Sequence, residues 1–321
     1  MKILFVFTGG TIGSSVYKGV ADADRSVSNK IGNMCLRFGD TADFAFPYNI
    51  LSENAICSTL SDIFNFMLSV DYDKYDGIIM THGSDTLAYT ANLLGLALSW
   101  VSIPIIITAA DHVMSDPRSN GAENLSAAYA LIKSIKSGVF AVWKNTGEKV
   151  LAHLAAKLLE ADGCDKFSSW GGAAAGIYYN ENWQMTEIPA PCDELRFLKN
   201  QQINIQNNVM LLHSYVGLDY SAIDLTNKSA VLLKLYHSGT ACMAGGSCSF
   251  DYLVDMCKKS GTDLYITPIK NGSYIYSTAK NITDFAKPIC GMSEFAAYTR
   301  LLLAYSLEGT QRENVLRARI Y

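Results

Sequence analysis

Two short runs in this chain combine residue types that packing alone does not call for. The first is Thr8-Gly9-Gly10-Thr11-Ile12-Gly13, directly after the apolar run Lys2–Phe7. Adjacent glycines open backbone angles that other residues avoid, so such a turn bares its amides and lifts a hydroxyl clear of the chain. It can cradle a phosphate, or it can present Thr11 as a nucleophile. A dinucleotide fingerprint needs a glycine where Thr11 stands, so the phosphate reading lacks a key residue. The second run is Thr81-His82-Gly83-Ser84-Asp85-Thr86, after the apolar Gly77–Met80. Asp85 or Thr86 alone suffices to cap a helix, which leaves His82, Gly83 and Ser84 unexplained. A hydroxyl beside a carboxylate becomes reactive when a base takes its proton, and a lysine held in dry surroundings can do so. Lys157, inside LAHLAAKLL, is the candidate. A lysine that snorkels to the surface is the plainer account of the same residue.

These runs need elements to hold them. Apolar stretches at Lys2–Phe7, Gly77–Met80, Pro104–Thr108 and Gly138–Trp143 read as buried strands. Helical spacing marks Leu60–Leu68, Thr86–Trp100 and Asn124–Ile135 between them. Strands alternating with helices predict an α/β fold with a parallel sheet covered on both faces. In such sheets ligands bind beyond the carboxyl ends of the strands. Three polar clusters lie there: Thr8–Ser14, Thr81–Thr86 and Thr108–Ser119. The pattern weakens after about Tyr178, and a polar stretch carries Pro189 and Pro191. Alternation resumes with strands at Val209–Leu212, Ala230–Leu235 and Leu264–Thr267 and helices at Phe250–Lys259 and Ser293–Leu307. The expected division is a larger N-terminal α/β domain over 1–185, a linker over 186–207 and a smaller C-terminal α/β domain over 208–321.

Composition narrows the function. The 321 residues carry a formal net charge of −4, with no basic stripe, which argues against a nucleic-acid partner. Eight cysteines at irregular spacing, with no Cys-x-x-Cys pair, read as free thiols of a cytoplasmic protein and not as a metal site. The histidines have no ligand spacing to one another. The apolar run after Lys2 is too short for a signal peptide. The uncharged stretch Thr86–Ala110 is long enough to cross a bilayer, but Ser99, Ser102 and Pro104 divide it into a helix and a strand, so no membrane span is expected. Gly245-Gly246-Ser247-Cys248-Ser249 has the outline of a nucleophile elbow, yet ends in serine where glycine is required.

Taken together, the two glycine runs resemble the bacterial-type L-asparaginase family, especially its cytoplasmic-type members. Thr8–Ile12 matches that family's T-G-G-T-I, and His82–Thr86 matches its H-G-T-D-T with Ser84 for threonine. Ile50–Asn54 resembles its substrate-binding segment, and Ala109–Asp111 with Gly121–Leu125 resembles a later strand end and the segment after it. The resemblance implies an amidohydrolase that releases ammonia from L-asparagine, with glutamine or another amide as the neighbouring substrate. It implies Thr11 as nucleophile forming an acyl-enzyme, and Ser84, Asp85 and Lys157 as the second catalytic group. Ser52, Glu53 and Asp85 would grip the α-carboxylate and α-ammonium ends. Gly10, Gly83 and Ala110 would line the substrate, with nearby backbone amides receiving the oxyanion. Tyr17 is the candidate lid tyrosine, only six residues after Thr11. No cofactor and no metal are implied, and a homodimer or homotetramer is. Ser84 keeps the hydroxyl but loses the methyl that stiffens χ1.

Two other classes stay open. Thr8-Gly9-x-x-x-Gly13 with Tyr129-x-x-x-Lys133 resembles the cofactor turn and catalytic pair of short-chain reductases, although Ser15 stands where a further glycine belongs. A non-catalytic amino-acid sensor on the same scaffold is the other.

Overall fold

The computed structural model describes the whole chain except residues 19, 25, 28–30, 32–38, 164, 270–275, 281, 320 and 321. Part of the expected lid region, together with Cys35 and Cys164, lies outside the described residues. The chain divides into one unit of residues 1–204 with 317–321 and a second of 205–316.

The first unit is built on an eight-stranded sheet. Its strands are β1 (Lys2–Phe7), β4 (Thr41–Ala45), β5 (Gly77–Thr81), β6 (Pro104–Thr108), β7 (Gly138–Lys144), β8 (Val150–Leu154), β9 (Gly176–Tyr179) and β10 (Asn182–Met185). A separate hairpin, β2 (Ser14–Tyr17) with β3 (Val20–Ala23), follows β1. The spatial order is β10-β9-β8-β7-β6-β5-β1-β4. Strands β5, β6 and β7 run parallel to β1 as expected, and β4, which the sequence pattern does not foretell, is parallel to β1 as well. Beyond β7 the sheet turns antiparallel through β8, β9 and β10, which the sequence pattern does not foretell.

Parallel strands sheathed on both faces are apolar throughout, and β5 and β6 are buried at every position. Among the described residues, helices α1 (Cys57–Ser69), α2 (Leu87–Ala97) and α3 (Gly121–Ser134) accompany this sheet. Helix α3 buries Leu125, Ala128, Tyr129 and Ile132, one face at three- and four-residue spacing. These join Ile3, Phe5, Phe7, Ile79 and Phe140 in a single core. Helix α2 is buried along nearly its whole length. Among the described residues no helix is long and apolar enough to cross a membrane. Thr86–Ala110 instead holds α2 and β6. Residues 193–198, inside the stretch expected as linker, form a 3-10 helix that buries Leu195 and Leu198.

In the second unit β11 (Val209–His213), β12 (Ala230–Lys234), β13 (Asp263–Thr267) and β14 (Lys287–Pro288) form a parallel sheet in that order. Its helices are α4 (Phe250–Ser260), α5 (Ile282–Phe285), α6 (Glu294–Tyr305) and α7 (Gly309–Arg317), the last ending at the unit's border. Both units are thus α/β, the smaller one C-terminal.

Candidate active site

Strand order locates the crevice. The parallel strands run β4-β1-β5-β6-β7, so successive strands are added on one side of β1 and then on the other. The loops leaving β1 and β5 therefore part, and a ligand can enter between them. The loop after β1 is Thr8–Gly13, and the loop after β5 is His82–Thr86. Main-chain bonds prolong the sheet into both loops. Thr8 N donates to Thr81 O at 3.3 Å, Gly10 N to Ile50 O at 2.9 Å, and His82 N to Thr108 O at 2.8 Å. Four loops, including Ile50–Asn54 after β4 and Ala109–Asn120 after β6, are thus aligned at one edge.

Their contact is backbone to backbone. Gly10 has φ 71°, and a Cβ there would lie 2.4 Å from both Cα and N of Gly83. A Cβ on Gly83 would lie 2.3 Å from Ser52 Oγ. Any side chain at either position would push the three loops apart. Thr11 follows in a one-turn 3-10 helix, Thr11–Gly13, closed by Gly13 N to Gly10 O and by Ser14 Oγ to Gly10 O at 2.8 Å. Thr11 is half-buried, and among the described residues its hydroxyl has no hydrogen-bond partner.

The polar groups of the facing loops are ordered by one another. Ser52 is buried, and its Oγ donates to Asp85 Oδ2 at 3.3 Å. Thr86 Oγ1 donates to the Ser52 carbonyl at 3.1 Å. Asp85 and Glu53 are exposed, so two carboxylates stand at the rim. Ala110 is buried at the end of β6, where Asn124 Nδ2 donates to the Ala109 carbonyl at 3.0 Å.

His82 explains itself once its partners are seen. Its Nδ1 lies 2.8 Å from the Gly83 carbonyl and its Nε2 lies 2.9 Å from Thr90 Oγ1. A carbonyl only accepts, so Nδ1 carries the proton and Nε2 accepts from Thr90. Burial lowers the pKa of this ring below the ordinary histidine value and keeps it neutral. His82 therefore braces the loop from beneath. The polar density of THGSDT was the only sign of it in sequence.

Other expected residues make their bonds elsewhere. Lys157 ends a 3-10 turn after β8, and its ammonium donates to both Glu187 oxygens at 2.8 and 3.1 Å. It makes no hydrogen bond to Ser84 or Asp85. Tyr17 is exposed at the end of β2, opposite Val20 in the hairpin. Tyr129 is a core residue whose hydroxyl donates to Asp40. Asp40 precedes β4 and also binds the N-terminal ammonium before β1, so the Tyr129–Lys133 pair sits at the amino ends of the strands. A cofactor at the glycine turn would lie at the opposite edge, and the reductase reading falls on that geometry.

A family model described as "Asparaginase, N-terminal" matches residues 2–189. The chain belongs to the asparaginase family. An L-asparaginase of Thermococcus kodakarensis is 30% identical over 142 residues, covering 44% of this chain and 43% of that protein. Curated L-asparaginases matched first are thus spanned over less than half their length. One glutamyl-tRNA(Gln) amidotransferase subunit from Methanosphaera stadtmanae is 23% identical over 92% of this chain and 70% of its own length. The solved structure of the thermostable Thermococcus kodakarensis L-asparaginase superposes with a TM-score of 0.80 at 18% identity, covering 100% of this chain and 98% of that one. At that identity the superposition speaks for the two-part asparaginase fold.

Proposed function

We propose that this asparaginase-family protein hydrolyses the side-chain amide of free L-asparagine to L-aspartate and ammonia, with Thr11 as nucleophile. The observation that supports the reading is the three-loop contact of Gly10, Gly83 and Ser52 at the sheet's switch point, with Thr11 and Ser84 next in sequence to the two glycines. In the proposed cycle Thr11 Oγ1 attacks the carboxamide carbon and loses its proton. Backbone amides of the Gly10–Thr11 and Gly83–Ser84 turns receive the oxyanion. Ammonia departs with the added proton, and water hydrolyses the resulting ester. Ser52 suits the substrate's α-carboxylate, and the rim carboxylates of Asp85 and Glu53 suit its α-ammonium. Lys157 is assigned as the base serving Ser84, a role that requires its amine to leave Glu187 and lose its proton.

Glutamine is the second substrate reading, and the similarity to an amidotransferase subunit over most of the chain favours keeping it. The described cysteines are thiols, which fits the reducing interior of a cell, and a homodimer or homotetramer completes the proposal. Ammonia release from asparagine and from glutamine, each with the parent protein and with Thr11→Ala, tests the reading. Release from asparagine that vanishes in Thr11→Ala is the expected result. Full turnover by Thr11→Ala would remove the nucleophile. Tight asparagine binding without ammonia would make the protein a sensor. Light scattering of the purified protein reads the oligomer.

A further inference from the structure

Lys157 and the Ser84–Asp85 turn come from distant parts of the chain, and one side chain joins their supports. Helix α2 starts at Leu87, just after that turn, and contains no charged residue. Asn92 in its middle is 0% exposed. Its Nδ2 donates to the Leu158 carbonyl at 2.8 Å and to the Ala88 carbonyl at 2.7 Å. Both partners only accept, so the amide's orientation follows from chemistry. Asn92 Oδ1 is buried with no partner among the described residues. A leucine, as at Leu93, Leu94 and Leu96, would occupy such a helix without an unpaired atom. Packing therefore does not account for Asn92, and the bond to Leu158 does.

Leu158 directly follows Lys157. Its own amide donates back to Ala155 O at 3.2 Å, and Trp170 N donates to Lys157 O at 2.7 Å. Three residues from Asn92, Gly95 lets the helix touch the same turn, since a Cβ there would lie 2.5 Å from Ala156 N. The turn Ala155–Leu158 is docked on α2, and Asn92 is the polar bolt through the contact.

We infer that Asn92 is a positioning residue: it fixes the turn bearing Lys157 against the helix that follows Ser84–Asp85, and so sets where the amine stands. The inference rests on the proposed role of Lys157. Steady-state kinetics of ammonia release from asparagine test it, with Asn92→Leu, Asn92→Ser, Lys157→Ala and the double variants, each checked for folding by circular dichroism melting. Asn92→Leu is expected to lower kcat about ten- to hundredfold with KM within about twofold of the parent. In the Lys157→Ala background the same change is expected to alter the residual rate by less than about twofold, because the group being positioned is gone. Where Asn92→Leu does not fold, Asn92→Ser, too short to reach Leu158, carries the same comparison. An unchanged kcat in folded Asn92 variants overturns the inference while leaving Lys157 as base. A further drop in the Lys157→Ala background as large as in the parent also overturns it, since Asn92 would then act on the fold at large. Full activity of Lys157→Ala removes the base itself, and the inference with it.

Discussion

The backbone at Gly10 and at Gly245 is almost the same. Gly10 has φ 71° and ψ 178°, Gly245 has φ 84° and ψ 176°, and each leads into a three-residue 3-10 helix ending at a serine in extended conformation. Each also lies beyond the carboxyl end of a parallel strand, β1 in one unit and β12 in the other. Their surroundings differ. Gly10 is pressed onto Gly83, whereas a Cβ on Gly245 or Gly246 would meet nothing within 4 Å. A glycine turn of this shape is thus only a local conformation. What makes the first one a candidate site is the loop from the neighbouring strand that it touches, His82–Thr86, through Gly83.

Substituting the two glycines is the sharpest way to break this comparison. Gly10→Ala forces a methyl into the Gly83 backbone and should cost more than about 4 kcal/mol, with folded protein scarce and ammonia release down by at least about a hundredfold. Expression yield, thermal melting and the ammonia assay read it. If Gly10→Ala is stable and active, the loops are not in contact as described.

Acid should reveal the next largest contrast. His82 and His153 are buried in the first unit, while His213 and His237 in the second are exposed. Burial pushes His153 down from 6.5 to about 4. Below pH 6.5 the unfolded chain takes up a proton that the folded chain refuses, so stability falls as pH falls from 6.5 toward 4. The loss from His153 is on the order of 3 kcal/mol by pH 4. The lowered pKa of His82 adds in the same direction. All four tryptophans lie in the first unit, so their fluorescence during urea titrations at neutral and acidic pH follows that unit. A denaturation midpoint independent of pH would contradict the burial.

His82→Phe should be milder. It removes the bonds to Gly83 and Thr90 and should lower stability by about 2 kcal/mol while reducing kcat through the loosened loop. An unchanged kcat and melting temperature would show that the brace is dispensable. Smallest in its effect on activity, Gly245→Ala should cost about 2 kcal/mol of backbone strain, since φ 84° with ψ 176° is a region that glycine alone readily adopts, and leave ammonia release unchanged. A large loss of activity there would erase the distinction between the two turns.

Much of this site was legible in sequence because its signals are local. Thr8–Gly13 and His82–Thr86 each break an apolar strand with residues that packing does not need, and their positions after strands predict one shared edge. The strands β8 to β10 were less legible. Val150–Leu154 merges into the alanine-rich LAAKLL, and β9 with β10 is a short hairpin turning through Asn180 and Glu181, both at positive φ, where the alternation weakens just before the expected linker. The Glu187 carboxylate on Lys157 and the Asn92 amide on Leu158 depend on those unforeseen strands and on distant pairing. No spacing rule reaches them.

The central claim is that Thr11 forms the bond to substrate. Rapid acid quench of the protein during asparagine turnover, followed by peptide mass mapping, measures it directly. An aspartyl ester on the peptide that contains Thr11, absent in Thr11→Ala, is the predicted result. An ester on Ser84 instead, or ammonia release with no ester on Thr11, would contradict the account.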